Sequence, residues 1–345
     1  MPDSDIRHAL LAHIRSRLGG ERASIPDPLR QLTGSFDTTI YEFVLRQPPN
    51  GWPAQLILRL FPPGSPSQRA SSEFAAHQAI GSQGFPCPAV YLSGDDLFLP
   101  PGSESGLADG QAPPSPYLIK DRFPGVPILD AALGPSTLLF RAPTILANLL
   151  ADLHELDPAP FETAMDATLA RPAARLHSLA GRLSDAPNPT PSRAALSDVA
   201  AWLVEHLPTD QEREVICHGD FHPLNVLWDG SAPSLIDWAD TTIAPPEYDL
   251  AIAHLIMTVC PVEQFGPVRL LLNAIWGLAA RRLIAVYGAR RPLDAALVDY
   301  YRVQRAFQAL ARIAIGAPEG YAWTSRRSQK ALRRIIRDVT GIAVP

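Results

Sequence analysis

Lysine is almost missing from this chain: Lys120 and Lys330 are the only two in 345 residues, and arginine supplies the other basic side chains. Cysteine is scarce as well. Cys87, Cys217 and Cys260 are far apart, odd in number and free of CxxC spacing, which argues against a disulfide framework or a zinc ribbon and favours a reducing cytoplasm. No stretch of 18 uninterrupted apolar residues occurs, and the opening segment MPDSDIRHALLAHIRSRLGG carries acids where an export signal needs a basic segment and an apolar run. Neither a membrane span nor export is expected. What the chain does have is 46% hydrophobic residues, ample for the core of two domains or of one large two-lobed one.

The formal charge of -5 hides an asymmetry. Residues 281–345 hold 12 Arg and one Lys against Asp294, Asp299, Glu319 and Asp338, about +9, which leaves about -14 for the first 280 residues. The basic run SRRSQKALRRIIRDV carries Leu332, Ile335 and Ile336 at helical spacing. It reads as an amphipathic helix with a solvated basic face rather than a nucleic-acid arm, so no nucleic-acid partner is expected.

Residues 4–18 read as a helix stopped by Gly19-Gly20, with Ile6, Leu10, Leu11, Ile14 and Leu18 on one side. FDTTIYEFVLR and AQLILRLF are β-branched and aromatic runs around the turn chemistry of QPPNGWP, and predict two antiparallel strands. SSEFAAHQAIGSQG follows as a helix, and PAVYLS and PYLIKDRF as strands. The segment 100–116 between those strands, with its Pro and Gly, reads as a loop. Beyond about Ile128 the apolar spacing turns helical almost throughout. The expected fold class is α+β, with a small antiparallel β-sheet lobe followed by a larger helical one.

One strand-like island interrupts the helical half: CHGDFHPLNVLWDGSAPSLIDWAD, Cys217 to Asp240. Here NVLW and SLID flank the turn DGSAP, the signature of a hairpin. Pairing Trp228 with Ser234 sets Asn225 opposite Asp237, so two hard oxygen donors 12 residues apart in sequence meet where Mg²⁺ with a substrate's phosphates could be held. Asp220 sits on the loop leading in. A carboxylate beside a divalent cation is what phosphoryl transfer to a hydroxyl requires. His218, Asp220 and Asn225 follow the HxDxxxxN spacing of a kinase catalytic loop, with Asp237 at the place of the metal-binding Asp. His222 leaves an alternative open, because HxDxH could seed a zinc or di-metal hydrolase site, although Pro223 opposes the long strand that reading needs.

HGDFHPLNVL and LIDWADTTIAPPEYDLA resemble the catalytic segments of the aminoglycoside phosphotransferase and choline kinase family, which has a bilobal protein-kinase-like fold. The matches run in order from about residue 30 to 255. The resemblance implies a nucleotide-binding N-lobe over 1–123 and a helical C-lobe over 124–345 that carries the catalytic loop and the acceptor-binding helices. It implies Asp220 as the catalytic carboxylate and His218 as the brace of its loop, with Asn225 and Asp237 holding Mg²⁺. LTGSFDTTIYEF would be a glycine-poor nucleotide loop, with Gly34, Ser35 and Thr38 near the phosphates. Arg59 would stand where such folds usually carry Lys, and Glu73 would pair with it. Asp121 and Phe123 would offer backbone groups to the base of ATP or GTP. Lys120 departs from the family pattern, which has an apolar residue there, and Asp249 resembles the aspartate that bonds back to the catalytic loop. Cys217 and Trp238 read as core.

The resulting expectation is a cytoplasmic, Mg²⁺- and nucleotide-dependent phosphotransferase acting on a small-molecule hydroxyl. The few acids after Asp249 suit a neutral or anionic acceptor at least as well as a polycationic one. A catalytically silent kinase-fold binding protein is the second reading, favoured by the single loop glycine and by Arg59. The oligomeric state is not readable from these features.

Overall fold

The computed structural model describes residues 2–18, 22–32, 38–98, 114–134, 138–165, 171–187, 190–208, 213–259, 267–317, 321 and 323–345. Gly34 and Ser35, and most of the predicted loop over 100–116, lie outside the described residues. The chain divides into two compact units. One comprises Met1–Pro124 with Thr163–Thr168 and Ser234–Ala239, and the other Gly125–Glu162, Leu169–Pro233 and Asp240–Pro345.

The first unit opens with α1 (Pro2–Leu18), then β1 (Arg30–Leu32), β2 (Thr39–Val44), β3 (Gln55–Leu60), α2 (Gln68–Gly81), β4 (Val90–Leu97) and β5 (Ser115–Asp121). The strands form one antiparallel sheet in the order β1-β2-β3-β5-β4. Ile6, Leu10 and Ile14, one helical turn apart along α1, join Tyr41, Phe43, Leu56, Leu58 and Tyr117 in its core. Register fixes which side chains share a face. Arg59 pairs with Leu118 and Ile57 with Lys120, so the period-two alternation puts Arg59 and Lys120 on one side of the sheet.

Beyond β5 come β6 (Val126–Pro127), α3 (Ile128–Leu133), α4 (Leu138–Leu153), α5 (Pro158–Met165), α6 (Pro172–Asp185) and α7 (Pro191–Glu205), most of them in the second unit. Four short strands follow: β7 (Val215–Cys217), β8 (Val226–Trp228), β9 (Pro233–Leu235) and β10 (Thr242–Ala244). Then come α8 (Glu247–Val259), α9 (Pro267–Arg290), α10 (Ala295–Ala314) and α11 (Arg326–Thr340). β7 pairs with β10, and β6 with β8. α8 and α10 are apolar on several sides and buried accordingly, with Leu250, Ile252, Leu255, Val303, Phe307 and Leu310 in the core. α11 is amphipathic as its sequence predicts: Ser328, Leu332 and Ile336 are buried, and Ser325 caps the helix by accepting the amide of Ser328. No helix among the described residues is long and apolar enough to cross a membrane.

The turn between β8 and β9 has the predicted chemistry. Asp229 Oδ1 accepts the amides of Ser231 at 2.7 Å and Ala232 at 2.8 Å, closing an Asx-type turn. The strands themselves are only three residues each. Asn225 precedes β8, and Asp237 follows β9 with a left-handed backbone, φ 67°, that no extended strand contains.

Candidate active site

In the second unit, β7 delivers the chain into His218-Gly219-Asp220, and α8 holds it there. The buried Asp249 carboxylate accepts the amide of His218 through Oδ2 and that of Gly219 through Oδ1, both at 2.7 Å. Two charge-assisted bonds from one carboxylate fix both peptide planes of the turn. His154, directly after α4, sits 3.2 Å from Asp249 Oδ2 through Nε2 and 2.7 Å from the Tyr287 hydroxyl of α9 through Nδ1, so the end of α4 and α9 join the same network. Gly219 has φ 82°, and a Cβ there would land on the Asp240 carbonyl, inside contact distance. Only glycine fits.

Asp220 then meets three partners. Arg305 of α10 donates from Nη2 to its Oδ1 at 3.1 Å, and His222 Nε2 lies 3.4 Å from its Oδ2. Asn225 donates from Nδ2 to the Asp220 carbonyl at 2.9 Å and reaches Oδ2 at 3.5 Å. The Leu224 amide donates to His222 Nδ1 at 3.3 Å, which leaves Nε2–H to donate toward Asp220. Burial alone pushes the Asp220 carboxyl up, but the His222 hydrogen bond and the Arg305 guanidinium overcome that and hold it well below the ordinary range. It is therefore a carboxylate throughout the physiological range. His218 is fully buried, and its Nδ1 accepts the Asp220 amide at 3.3 Å. That contact braces the loop.

In the first unit, Arg59 is buried, and its Nη1 donates to Glu73 Oε1 at 3.0 Å and to Asp237 Oδ1 at 2.6 Å. Lys120, 8% exposed, donates to the same Glu73 oxygen at 3.1 Å. Two cations thus face two carboxylates, and the group is neutral as a whole. Burial pushes the Glu73 carboxyl up, yet the Arg59 guanidinium and the Lys120 ammonium, with His77 behind them, hold it well below the usual carboxylate range. The Asp237 side chain is 42% exposed. Trp238 beside it is buried, stacking edge-on to Phe85 at 5.8 Å between centroids. At the end of β5, the Asp121 amide donates to the Ala89 carbonyl at 2.9 Å, and its carboxylate takes the Tyr91 hydroxyl at 2.7 Å. Arg122 donates to the carbonyl of Phe123.

The predicted residues therefore fall into two groups. His218, Asp220 and Asn225 gather in one unit; Arg59, Glu73 and Asp237 gather in the other. In one unit Asn225 spends its Nδ2 on Asp220, and in the other Asp237 Oδ1 accepts from Arg59; an amide oxygen and a carboxylate oxygen are each the kind of hard donor that Mg²⁺ prefers. The zinc reading of HxDxH gains nothing here. Among the described residues, His154, Cys217 and Asp249 are the side chains grouped closely enough for an ion, all three are buried, and Asp249 is already committed to two amides and His154.

A profile described as "Phosphotransferase enzyme family" matches residues 29–293. The chain belongs to that family. Among curated proteins, the chain is 26% identical over 219 residues to an aminoglycoside 3'-phosphotransferase of Streptomyces fradiae, covering 62% of this chain and 74% of the relative. It is also 26% identical over 215 residues to acyl-CoA dehydrogenase family member 11 of Gallus gallus, covering 61% of this chain but only 25% of that longer protein. Among solved structures, a thermostable mutant of aminoglycoside phosphotransferase APH(4)-Ia in ternary complex with AMP-PNP and hygromycin B superposes with a TM-score of 0.59 at 17% identity, over 96% of this chain and 99% of that one. The fold is the kinase-like α+β fold of the aminoglycoside phosphotransferases.

Three residues that contact the predicted ones escaped the sequence reading. Arg305 lies 85 residues from Asp220 in a helix rich in other arginines. His154 marks itself only as one polar residue directly after the apolar helix α4. Lys120 was visible as a departure, but its carboxylate partner was not.

Proposed function

We propose that this phosphotransferase moves the γ-phosphoryl group of ATP or GTP to a hydroxyl of a small molecule, with Mg²⁺ as cofactor. The acceptor oxygen bonds to the γ-phosphorus as the bond between that phosphorus and the β,γ-bridging oxygen breaks, the nucleoside diphosphate leaves, and the hydroxyl proton passes through Asp220 to solvent. The observation that carries this reading is the setting of Asp220: a carboxylate kept ionised by His222 and Arg305 on a loop whose backbone is held by Asp249. Phosphoryl transfer through a loose transition state asks a carboxylate chiefly to orient the hydroxyl, for which a low pKa is no obstacle. Mg²⁺ would be held by Asn225 and Asp237 and would neutralise charge on the phosphates. Arg59 is assigned to the phosphates, with Glu73 orienting its guanidinium. Gly34 and Ser35 are assigned to the same phosphates by their place in the sequence, and Asp121 and Phe123 to the base through the backbone.

A cytoplasmic location accords with the unpaired thiols of Cys87, pushed up to about 12 by burial, and Cys217. The relatives' names supply aminoglycosides as one acceptor class to test, not as this chain's substrate.

The test is Asp220→Asn assayed by nucleotide consumption against a panel of hydroxylated metabolites and antibiotics. Turnover is expected to fall by about a hundredfold to ten-thousandfold while nucleotide binding persists. Unchanged turnover removes Asp220 from its role. One observation favours the silent-binder reading, namely that Asp220 and Asp237 are each neutralised by an arginine. Thermal-shift measurements with ATP or GTP separate the two, since a binding protein without metal ligation shows no added shift with Mg²⁺.

A further inference from the structure

Arg305 lies on α10, which packs against α8, and α8 packs in turn against α9. Arg302 stands three residues before it on α10, on the neighbouring surface of the helix, where side chains at i and i+3 lie roughly 5–6 Å apart at Cβ. Arg302 donates from Nη1 to Asp299 Oδ1 at 2.8 Å, but its Nε is buried without a hydrogen-bond partner. His254 of α8 also has a buried Nδ1 with no partner. Burial, with Arg302 and Arg281 nearby and only Asp299 opposing, lowers the imidazole to about 4, so it stays neutral at physiological pH. Arg281, on α9, is exposed and has no ion-pair partner among the described residues.

The carboxylates around this cluster are already committed. Asp299 is taken by Arg302, and Asp240 lies 3.3 Å from Arg175, which also donates to the Asp240 carbonyl at 3.0 Å. Among the described residues, an acceptor bearing ammonium groups finds no carboxylate here without an arginine on it. An acceptor bearing a carboxylate or phosphate finds Arg302 and Arg305 one helical turn apart on α10, and a neutral histidine that Arg281 and Arg302 both lie near. Arg305 also has a reason to move: an anion that binds it draws the guanidinium from Asp220, and the freed carboxylate oxygen becomes the partner of the reacting hydroxyl.

We infer that the phosphoryl acceptor is a small hydroxylated anion, with a carboxylate or phosphate a few bonds from its reacting hydroxyl, received by Arg305 and Arg302 with Arg281 and His254 beside them. This rests on the phosphotransferase reading above, in which Asp220 meets the acceptor. Anchoring by Arg305 gives the arginine that lies 3.1 Å from Asp220 a part in receiving the acceptor.

The test uses the full chain and three probes under Mg·ATP: 3-hydroxybutyrate, glycerol 3-phosphate and kanamycin, with 3-hydroxybutyramide as the uncharged match to the first. Thermal shift reads binding and ADP release reads turnover. The expected result is that at least one anionic probe raises the melting temperature and speeds ADP release, that the amide and kanamycin do neither, and that Arg302→Gln weakens the response to the anion at least tenfold while Arg302→Lys restores part of it. Should Arg302→Gln fail to fold, Arg281→Gln, at an exposed position, is expected to weaken the same response several-fold. Stabilisation by kanamycin with silence from both anions overturns the inference, as does silence from all probes or an anion response untouched by the arginine substitutions. In each of those cases a Mg·ATP shift in the wild-type protein leaves the phosphotransferase reading standing. Loss of that shift overturns both.

Discussion

The Lys120 ammonium lies 3.1 Å from Oε1 of Glu73, the oxygen that the Arg59 guanidinium also holds at 3.0 Å. A chain with two lysines has placed one of them in its interior, on a fully buried carboxylate that orients the proposed phosphate-binding arginine. Removing that ammonium leaves a buried carboxylate with one cation instead of two. Lys120→Met is expected to cost roughly 1–3 kcal/mol of unfolding free energy, the scale of a buried acceptor losing a partner. It should also raise the KM for nucleotide more than it lowers kcat, because Arg59 loses its orientation. Urea unfolding with steady-state kinetics checks both, and a wild-type midpoint with a wild-type KM would mean that the contact is incidental.

Glu73 also sets a pH dependence. Its folded pKa is held well below the unfolded value near 4.5, so its contribution to stability is complete above about pH 4.5 and is lost as pH falls from there toward the folded pKa. The difference in unfolding free energy between wild type and Glu73→Gln, expected at about 3–5 kcal/mol near neutrality, should narrow when urea titrations are repeated at pH 4 and below. A gap constant from pH 7 to pH 3.5 contradicts the assignment.

Gly219→Ala tests the catalytic loop at its tightest point. The left-handed backbone and the overlap of a Cβ with the Asp240 carbonyl leave no accommodation short of moving the loop. A loss of about 1–3 kcal/mol and a collapse of turnover are expected together. Retained kcat in a folded Gly219→Ala protein would show that the loop tolerates displacement.

Asp249→Ala removes the acceptor of two amides and of His154 at once, leaving three buried polar groups short of a partner. Several kcal/mol of destabilisation follow. Asp249→Asn offers one oxygen and one NH₂ in place of two oxygens, and should fall between alanine and wild type in both stability and kcat. An asparagine variant indistinguishable from wild type would show that one of the two amide bonds is dispensable.

What the sequence made legible was local. His218, Asp220 and Asn225 lie within eight positions, so spacing alone placed them in one loop, and Asp249 was readable because it opens a helix. Arg59 could be picked out because Lys120 is the first unit's only lysine and the strand segment LILRLF carries a single arginine. The hairpin register that set Asn225 opposite Asp237 was a weaker guide, since each strand is three residues long and Asp237 leaves the extended conformation altogether. Arg305 and His154 were hidden for a different reason. Their roles depend on which helix face meets the loop, a tertiary choice that an arginine-rich helix and an apolar helix each leave undetermined. The charge reading fared in between: counting residues suggested an excess of arginine, but only positions show that each nearby carboxylate is already taken.

The double hold of Asp249 on the His218 and Gly219 amides has a consequence for exchange with solvent. A loop of this kind would ordinarily surrender its amide protons to deuterium within seconds. These two point inward to a fully buried carboxylate tied to α4 and α9, so releasing them means opening the helical core itself. They belong, by clock rather than by shape, to the slowest-breathing part of the molecule.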